Sequence, residues 1–326
     1  MPCKNAGPFL QDCINSILQQ SYAQWELIIC DDSSSDQSLT LLQSFEKKHD
    51  NIAVIQNTGA GILDALNLAY RQAIGFFVTR MDADDIMPKH KLKTLVKLLQ
   101  NKSAKKVATG KVQYFPVDQI KEGFKAYEIW INSLVDLNNH WQEIYKECVI
   151  ASPCWMMDRV SFDQIGGFGS DYPEDYDLVW RMFRNQIEVI SSADVLHLWR
   201  DHPARTSRNS EVYQTQTYFK LKVNHMLMMP EIQKRQWVVW GAGKKGKSLV
   251  KELLAKNITP IWVTNNNNKV GHDIYSIILQ EYTILPYNDS KLAILLTVSS
   301  LDDQKDVHNF LHSRNYQKSI DYFVLA

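Results

Sequence analysis

Twice within its first 85 residues the chain runs through a short apolar segment straight into a cluster of carboxylates. Leu27, Ile28, Ile29 and Cys30 lead into Asp31, Asp32, Ser33, Ser34, Ser35 and Asp36. Gly75, Phe76, Phe77, Val78 and Thr79 lead into Arg80, Met81, Asp82, Ala83, Asp84 and Asp85. Short apolar runs bounded by turn residues read as buried strands. Ahead of the first, Phe9, Leu10, Cys13, Ile14, Ile17 and Leu18 recur at helical spacing over residues 9–20. Helices are predicted at about 37–48 and 61–73, a strand at Ala53–Gln56, and a further helix after the second cluster. Strands alternating with helices give an α/β fold with a mostly parallel sheet, whose ligands bind outside the carboxyl ends of the strands. Both acidic loops therefore fall on one rim.

An Asp-x-Asp at such a rim offers hard oxygen donors to a divalent cation, and through it a site for phosphate. The same residues can instead form a solvated turn before a helix, because Asp is a good N-cap and Pro88 suits a first turn. The motif alone leaves both readings open.

Composition narrows the partners. Lys and Arg number 36, as do Asp and Glu, so no global field draws in nucleic acid or an anionic membrane. The five cysteines, Cys3, Cys13, Cys30, Cys148 and Cys154, lack zinc-like spacing and leave one unpaired in any disulfide scheme, which fits a reducing cytoplasm. No apolar run approaches the roughly 18 residues of a membrane span. The chain is expected to be soluble or peripheral on the inner face of the membrane.

The 326 residues are enough for two domains. Phe124 to Tyr145 keep a helical stripe through Tyr127, Trp130, Ile131, Leu134, Leu137, Trp141 and Ile144; such a stripe packs a core more often than it lines a ligand site. Next come Gly166, Gly167 and Phe168, then Glu174, Asp175, Tyr176 and Asp177 at the start of a helical pattern. A composition shift near Met229, Pro230 and Glu231 divides the chain into domains at 1–230 and 235–326. The second opens with the strand Trp237–Trp240 and the turn Gly241, Ala242, Gly243, Lys244, Lys245, Gly246, a G-x-G-x-x-G in strand-turn-helix context. Gly241, Gly243 and Gly246 are thus candidates for cradling a pyrophosphate. The next strand, Ile261 to Thr264, ends in Thr264, Asn265 and Asn266 where a NAD site offers an acidic residue, so a structural or oligomerisation module is the competing reading.

Over about 200 residues the order and spacing of these motifs resemble the family-2 glycosyltransferases of GT-A fold. The match runs through Met1, Pro2 and Asn5; Ser16 to Leu18 and Gln20; Glu26 to Ile29; Asp31 to Asp36; Arg80 to Asp85; Gly166 to Phe168; and Glu174 to Asp177. The resemblance implies a GT-A domain followed by a small Rossmann-like domain. It also implies transfer of a sugar, with inversion, from a nucleotide-diphosphate donor, read as a UDP-sugar, to a hydroxyl acceptor. The acceptor would be a glycan or lipid-linked glycan of a surface polysaccharide or glycolipid.

The resemblance places Pro2, Asn5, Asp32, Arg80, Asp82 and Asp84 at the donor, with Asp32 on the base. Asp84, Asp82 and His202 would hold Mn²⁺ or Mg²⁺, and Asp85 is expected only to cap the following helix. Arg200 would face the diphosphate or pair with an Asp. Asp175 would be the catalytic base, with Glu174 orienting it or the acceptor; the competing reading is that both only complement a helix N-terminus. Two departures stand out. Relatives carry a full strand before the Met-Pro-x-x-Asn segment, so a central strand is expected to be missing; and Lys4 sits where many relatives have an aromatic residue. Two other functions are weighed: an NAD(P)-linked oxidoreductase or epimerase using the C-terminal domain, and a non-catalytic nucleotide-sugar binder. Homo-oligomerisation is left open.

Overall fold

Each apolar run marked in the sequence becomes a strand. The computed structural model describes residues 1–100, 104–203, 205 and 215–326. It divides into two units, the first formed by Met1–His140, Val149–Ser170 and Glu174–Asn209 and the second by Trp141–Cys148, Asp171–Pro173 and Ser210–Ala326.

The first unit runs β1 (Pro2–Cys3), α1 (Gly7–Leu18), β2 (Leu27–Asp31), α2 (Ser38–Glu46), β3 (Ile52–Gln56), α3 (Ile62–Gln72), β4 (Phe77–Thr79), α4 (Lys91–Leu99), β5 (Lys106–Phe115), α5 (Glu122–Leu137), β6 (Trp155–Asp158), α6 (Arg159–Gln164), α7 (Glu174–Arg184) and β7 (Glu188–Arg200). β1, β2 and β3 form a parallel sheet. A second sheet has the order β4-β6-β5-β7, with β5 and β7 parallel and β6 the antiparallel exception. α1 buries Leu10, Cys13, Ile14 and Ile17, the three- and four-residue spacing of one helix face. Ala65 and Ala69 of α3 pack on Cys30 of β2.

β1 is two residues long. The N-terminal half of β2 and the edge strand β4 enclose an apolar groove of about 450 Å³, lined by Leu27 and Ile28 on one side and Phe77, Val78 and Thr79 on the other. Ile74 and Phe76, 87% and 69% exposed, also line it. The amino group of Met1, a lining residue, donates to Ile28 O at 2.8 Å.

Two local signals resolve into turns. The helical stripe expected to reach Tyr145 stops after Leu137, because Asn138 takes a left-handed conformation (φ 49°). Trp141 and Ile144 belong to the second unit. Gly166 and Gly167, at φ 88° and 58°, end α6. Arg181 then donates Nη1 to the carbonyls of Ile165 and Gly167, both at 2.7 Å.

The second unit contains α8 (Thr215–Leu227), β8 (Gln236–Trp240), α9 (Lys244–Ala255), β9 (Ile261–Thr264), the hairpin β10 (Asp273–Ile274) to β11 (Ile277–Ile278), β12 (Gln280–Glu281), β13 (Leu292–Leu296), α10 (Leu301–Ser313) and β14 (Tyr322–Val324). The strand order is β12-β9-β8-β13-β14, all parallel. Val238, Trp240, Ile294, Leu296, Val307 and Leu311 form the heart of its core. The composition shift at 229–231 falls inside this unit, since α8 packs on α9. Trp141–Cys148 joins it through Lys222, whose buried ammonium donates to Lys146 O at 2.7 Å and Leu325 O at 3.1 Å.

Two predictions follow from this packing. Burial pushes Lys222 down to about 8 from its ordinary 10.5. Above pH 8 the unfolded chain then binds more protons at this residue than the folded one, so this group makes stability rise with pH from about 8 towards 10.5. Denaturation at pH 7.5, 8.5 and 9 should show that rise reduced in Lys222→Met, and an unchanged slope would contradict it. Separately, joining about five apolar β-branched residues ahead of Met1 should pair them with β2 and bury them in the groove. Burial at roughly 1.5–3 kcal/mol per side chain offsets the ordering cost and the ladder hydrogen bonds to β2 add to it, so melting temperature should rise and the Ile28 amide should exchange more slowly. No change in either would show that the two strand edges do not accept a partner.

Candidate active site

The first acidic loop is organised around Asp32, which is 5% exposed at the end of β2. Its Oδ1 accepts from Asn57 Nδ2 at 2.7 Å and from the Gly61 amide at 3.0 Å, and its Oδ2 from Lys4 Nζ at 3.1 Å. Burial acts to raise the carboxyl, but the hydrogen bonds from Asn57, Lys4 and Gly61 outweigh it and leave the group below its ordinary range. Asn5, left-handed at φ 51°, ties the loops together: its Oδ1 accepts from Ser35 N at 2.8 Å and its own amide donates to Ser34 Oγ. Pro2 lies in β1 opposite Cys30. Lys4 thus lies on the carboxylate expected to meet the base.

The second loop carries three carboxylates, each with its own partner. Asp82 Oδ1 accepts from Arg80 Nε at 2.9 Å; burial raises this carboxyl, and the Arg80 guanidinium overrides burial to hold it low. Asp84 Oδ2 lies 2.9 Å from His202 Nε2. Burial, then the neighbouring Asp85 and Asp82 carboxylates, push Asp84 up. Arg200 donates Nε to Asp84 O at 2.8 Å and Nη2 to Asp12 Oδ2 at 3.1 Å.

Asp85 corrects the sequence reading. It caps no helix, since α4 starts at Lys91 with His90 as its N-cap. Asp85 is instead 1% exposed, with Oδ2 at 2.8 Å from His197 Nε2 and Oδ1 accepting from Arg200 N at 2.7 Å. Burial and the Asp82 charge push it up to about 7. His197, Lys91 and Asn57 escaped sequence reasoning. Lys91 reads as one more charge in the run Lys89, His90, Lys91, and His197 lies in an apolar strand pattern 112 residues from its partner.

Arg80 brings the acidic loop to the Glu-Asp motif. Its Nη1 donates to Glu174 Oε1 at 3.0 Å across 94 residues of chain, with Arg80 and Glu174 both buried. Glu174 and Asp175 open α7, and Asp175, half-buried, accepts from Tyr176 N at 2.8 Å. Asp177 is bonded to Arg181 Nε at 2.8 Å. The structure therefore brings Asp82, Arg80 and Glu174 together, and Asp84 with His202.

The donor set fits a hard divalent cation. Crowded carboxylates at one strand end, with Asp84 raised by its neighbours, are what a cation relieves. Among the described residues no three His, Cys, Asp or Glu side chains form a ready-made cage. One or two protein carboxylates completed by phosphate oxygens is the usual arrangement for Mg²⁺.

In the second unit Gly243 is the N-cap of α9 and has open space where a Cβ would stand. Gly241 has φ 121°, and a Cβ on Gly246 would meet Gly241 O at 2.0 Å, so the third glycine is demanded by packing. Lys269 Nζ donates to Ala242 O at 3.1 Å. Thr264 at the end of β9 is buried and bonds Asn266 N through its hydroxyl.

Residues 1–166 match the family model described as glycosyl transferase family 2. The chain is 37% identical over 100 residues to the Escherichia coli UDP-Glc:alpha-D-GlcNAc-diphosphoundecaprenol beta-1,3-glucosyltransferase WfgD, covering 30% of this chain and 39% of that protein. Matches span less than half the length of the first curated relatives. Among solved structures, S. aureus TarS 1-349 in complex with UDP-GlcNAc superposes with a TM-score of 0.57 at 19% identity, covering 77% of this chain and 70% of that one. The mannosyltransferase PcManGT from Pyrobaculum calidifontis, in complex with GDP-Man and Mn²⁺, does so at 0.51 and 17%, covering 77% and 66%. At these identities the two structures speak for the GT-A fold alone. With half the chain matched by its model, the protein belongs to glycosyl transferase family 2.

Proposed function

We propose that the chain is an inverting, divalent-metal-dependent glycosyltransferase that moves a sugar from a UDP-sugar to a hydroxyl of a glycan or lipid-linked glycan in surface polysaccharide or glycolipid synthesis. The observation that carries this reading is Arg80, whose guanidinium ties Asp82 of the acidic loop to Glu174 beside Asp175. The donor-side and acceptor-side motifs are thereby joined through one side chain.

In this reading Asp32 accepts from the base N–H, sharing or releasing Lys4, while Pro2 and Asn5 shape the loop around it. Asp84, with Asp82 and His202, would hold Mn²⁺ or Mg²⁺, which when bound would neutralise charge on the leaving diphosphate. Arg80 keeps Asp82 ionised and oriented. As the acceptor oxygen bonds to the anomeric carbon, the bond to the diphosphate breaks, and Asp175 takes the hydroxyl proton from the face opposite the leaving group. Glu174, fixed by Arg80, orients the segment. The neighbours named above, one bound to UDP-GlcNAc and one to GDP-Man with Mn²⁺, support a nucleotide-sugar donor, and the relative acting on a diphosphoundecaprenol acceptor supports a lipid-linked one.

The five cysteines, all free and buried, favour a reducing cytoplasm, and a lipid-linked acceptor favours peripheral association with the inner face of the membrane. Among the described residues no helix is long and apolar enough to cross a membrane. Gly241, Gly243 and Gly246 suit a phosphate, but Thr264 in place of an acidic ribose clamp weighs against the NAD(P)-linked alternative.

Replacing Asp84 with Ala should abolish Mn²⁺-dependent donor binding and turnover in a chain that stays folded; undiminished metal-dependent turnover removes Asp84 from the site. Asp175→Asn keeps size and most hydrogen bonding but cannot accept the proton. Transfer should fall by about 10²–10⁴ while UDP-sugar affinity with Mn²⁺ stays near wild type. Near-normal transfer in this variant would move the base elsewhere.

A further inference from the structure

Two buried side chains that this chemistry does not use lie end to end beneath the acidic loop and reach Asp85. Lys91, the first residue of α4, is 0% exposed; its Nζ donates to Pro153 O and lies 3.1 Å from His197 Nδ1. Burial lowers Lys91 while the Asp85 and Asp82 charges act against it; as an ammonium it can only donate, which makes Nδ1 the accepting nitrogen and puts the imidazole proton on Nε2. That N–H points at Asp85 Oδ2, 2.8 Å away. Lys91 therefore sets the tautomer, and the tautomer decides which nitrogen faces Asp85.

The other oxygen of Asp85 accepts from the Arg200 amide at 2.7 Å, where β7 ends. Ile86 and Leu198 exchange amide-to-carbonyl bonds of 3.1 Å in each direction alongside. Beyond this seam Arg200 Nε reaches Asp84 O and His202 Nε2 reaches Asp84 Oδ2. The residues held against Asp84 thus hang from the backbone that Asp85 anchors. Burying a lysine, an imidazole and a carboxylate is costly compared with apolar side chains of similar volume. Stability alone gives no reason for the trio at this place.

We propose that Lys91 and His197 are positioning residues for the metal–diphosphate site: they fix the orientation of Asp85, which docks Arg200 and His202 against Asp84. The inference rests on reading the acidic loop as the donor site. Neither residue touches donor or acceptor. Their contribution lies in holding the Asp84–His202 pair in one geometry, as outer-shell partners orient metal ligands elsewhere.

The test titrates UDP into the full-length chain with and without Mn²⁺, for wild type, His197→Leu, His197→Gln and Lys91→Met. His197→Leu and Lys91→Met should weaken Mn²⁺-dependent UDP affinity by about 10- to 100-fold, and metal-free UDP binding at Asp32 should not change. His197→Gln keeps a side-chain N–H for Asp85 and should recover most of the loss. A role confined to stability would lower the melting temperature and leave the Mn²⁺ dependence alone. Folded His197→Leu with wild-type Mn²⁺ dependence overturns the proposal. If His197→Leu does not fold, Lys91→Met with unchanged Mn²⁺ dependence overturns it equally. Wild-type chain that binds UDP no better with Mn²⁺ overturns the donor-site reading itself, and the positioning role with it.

Discussion

The candidate site depends on one buried guanidinium. Arg80 follows β4 and is 6% exposed, with Asp82 at 2.9 Å on one side and Glu174 at 3.0 Å on the other. Burying an arginine between two carboxylates costs desolvation on all three groups. Removing one partner from such a set is typically worth about 3–5 kcal/mol, because a charge is left uncompensated. Arg80 is thus the partner both carboxylates share. It fixes the acidic loop to the first turn of α7, and so sets where Asp175 begins relative to Asp82.

A second seam holds the same loop from below. Asp85 joins the end of β7 to the acidic loop, and Arg200 and His202 leave that seam to meet Asp84. Of four neighbouring groups, Arg80 and Asp85 are locked into the protein, while Asp84 and His202 remain partly exposed at the rim. This division suits a site whose inner partners are rigid and whose outer carboxylate meets a ligand. The first loop follows the same logic: Asn57 and Gly61 fix one oxygen of Asp32 from within, and the mostly exposed Lys4 holds the other.

What the sequence discloses and what it hides follow from the range of the interactions. Alternating apolar runs and helical stripes are local, so β2, β3, β4, β8 and β9 and the helices α1, α2 and α3 are legible within two residues. Short motifs with fixed spacing disclose Asp32, Asp82, Asp84 and the Glu174–Asp175 pair as candidates. Asp85 misleads because its partners are distant in the chain: proximity to a helix start suggests a cap, whereas the acceptor of the His197 proton is set by a contact across 112 residues. Lys91 is invisible for the same reason, since a lysine in an amphipathic stretch reads as solvated. The break at Asn138 has a local cause that the apolar stripe masks. The passage of Trp141–Cys148 into the second unit has none, resting on Lys222 and other contacts from far along the chain.

The central claim is that the two acidic loops form one nucleotide-sugar site completed by a divalent cation. Calorimetric titration of the chain with UDP-sugars, GDP-mannose and NAD⁺, each with and without Mn²⁺, tests it most directly. The account predicts that a UDP-sugar binds in the presence of Mn²⁺, that EDTA removes most of that affinity, and that NAD⁺ binds no better with the metal. Binding of NAD⁺ alone, or nucleotide-sugar affinity indifferent to Mn²⁺, would contradict it.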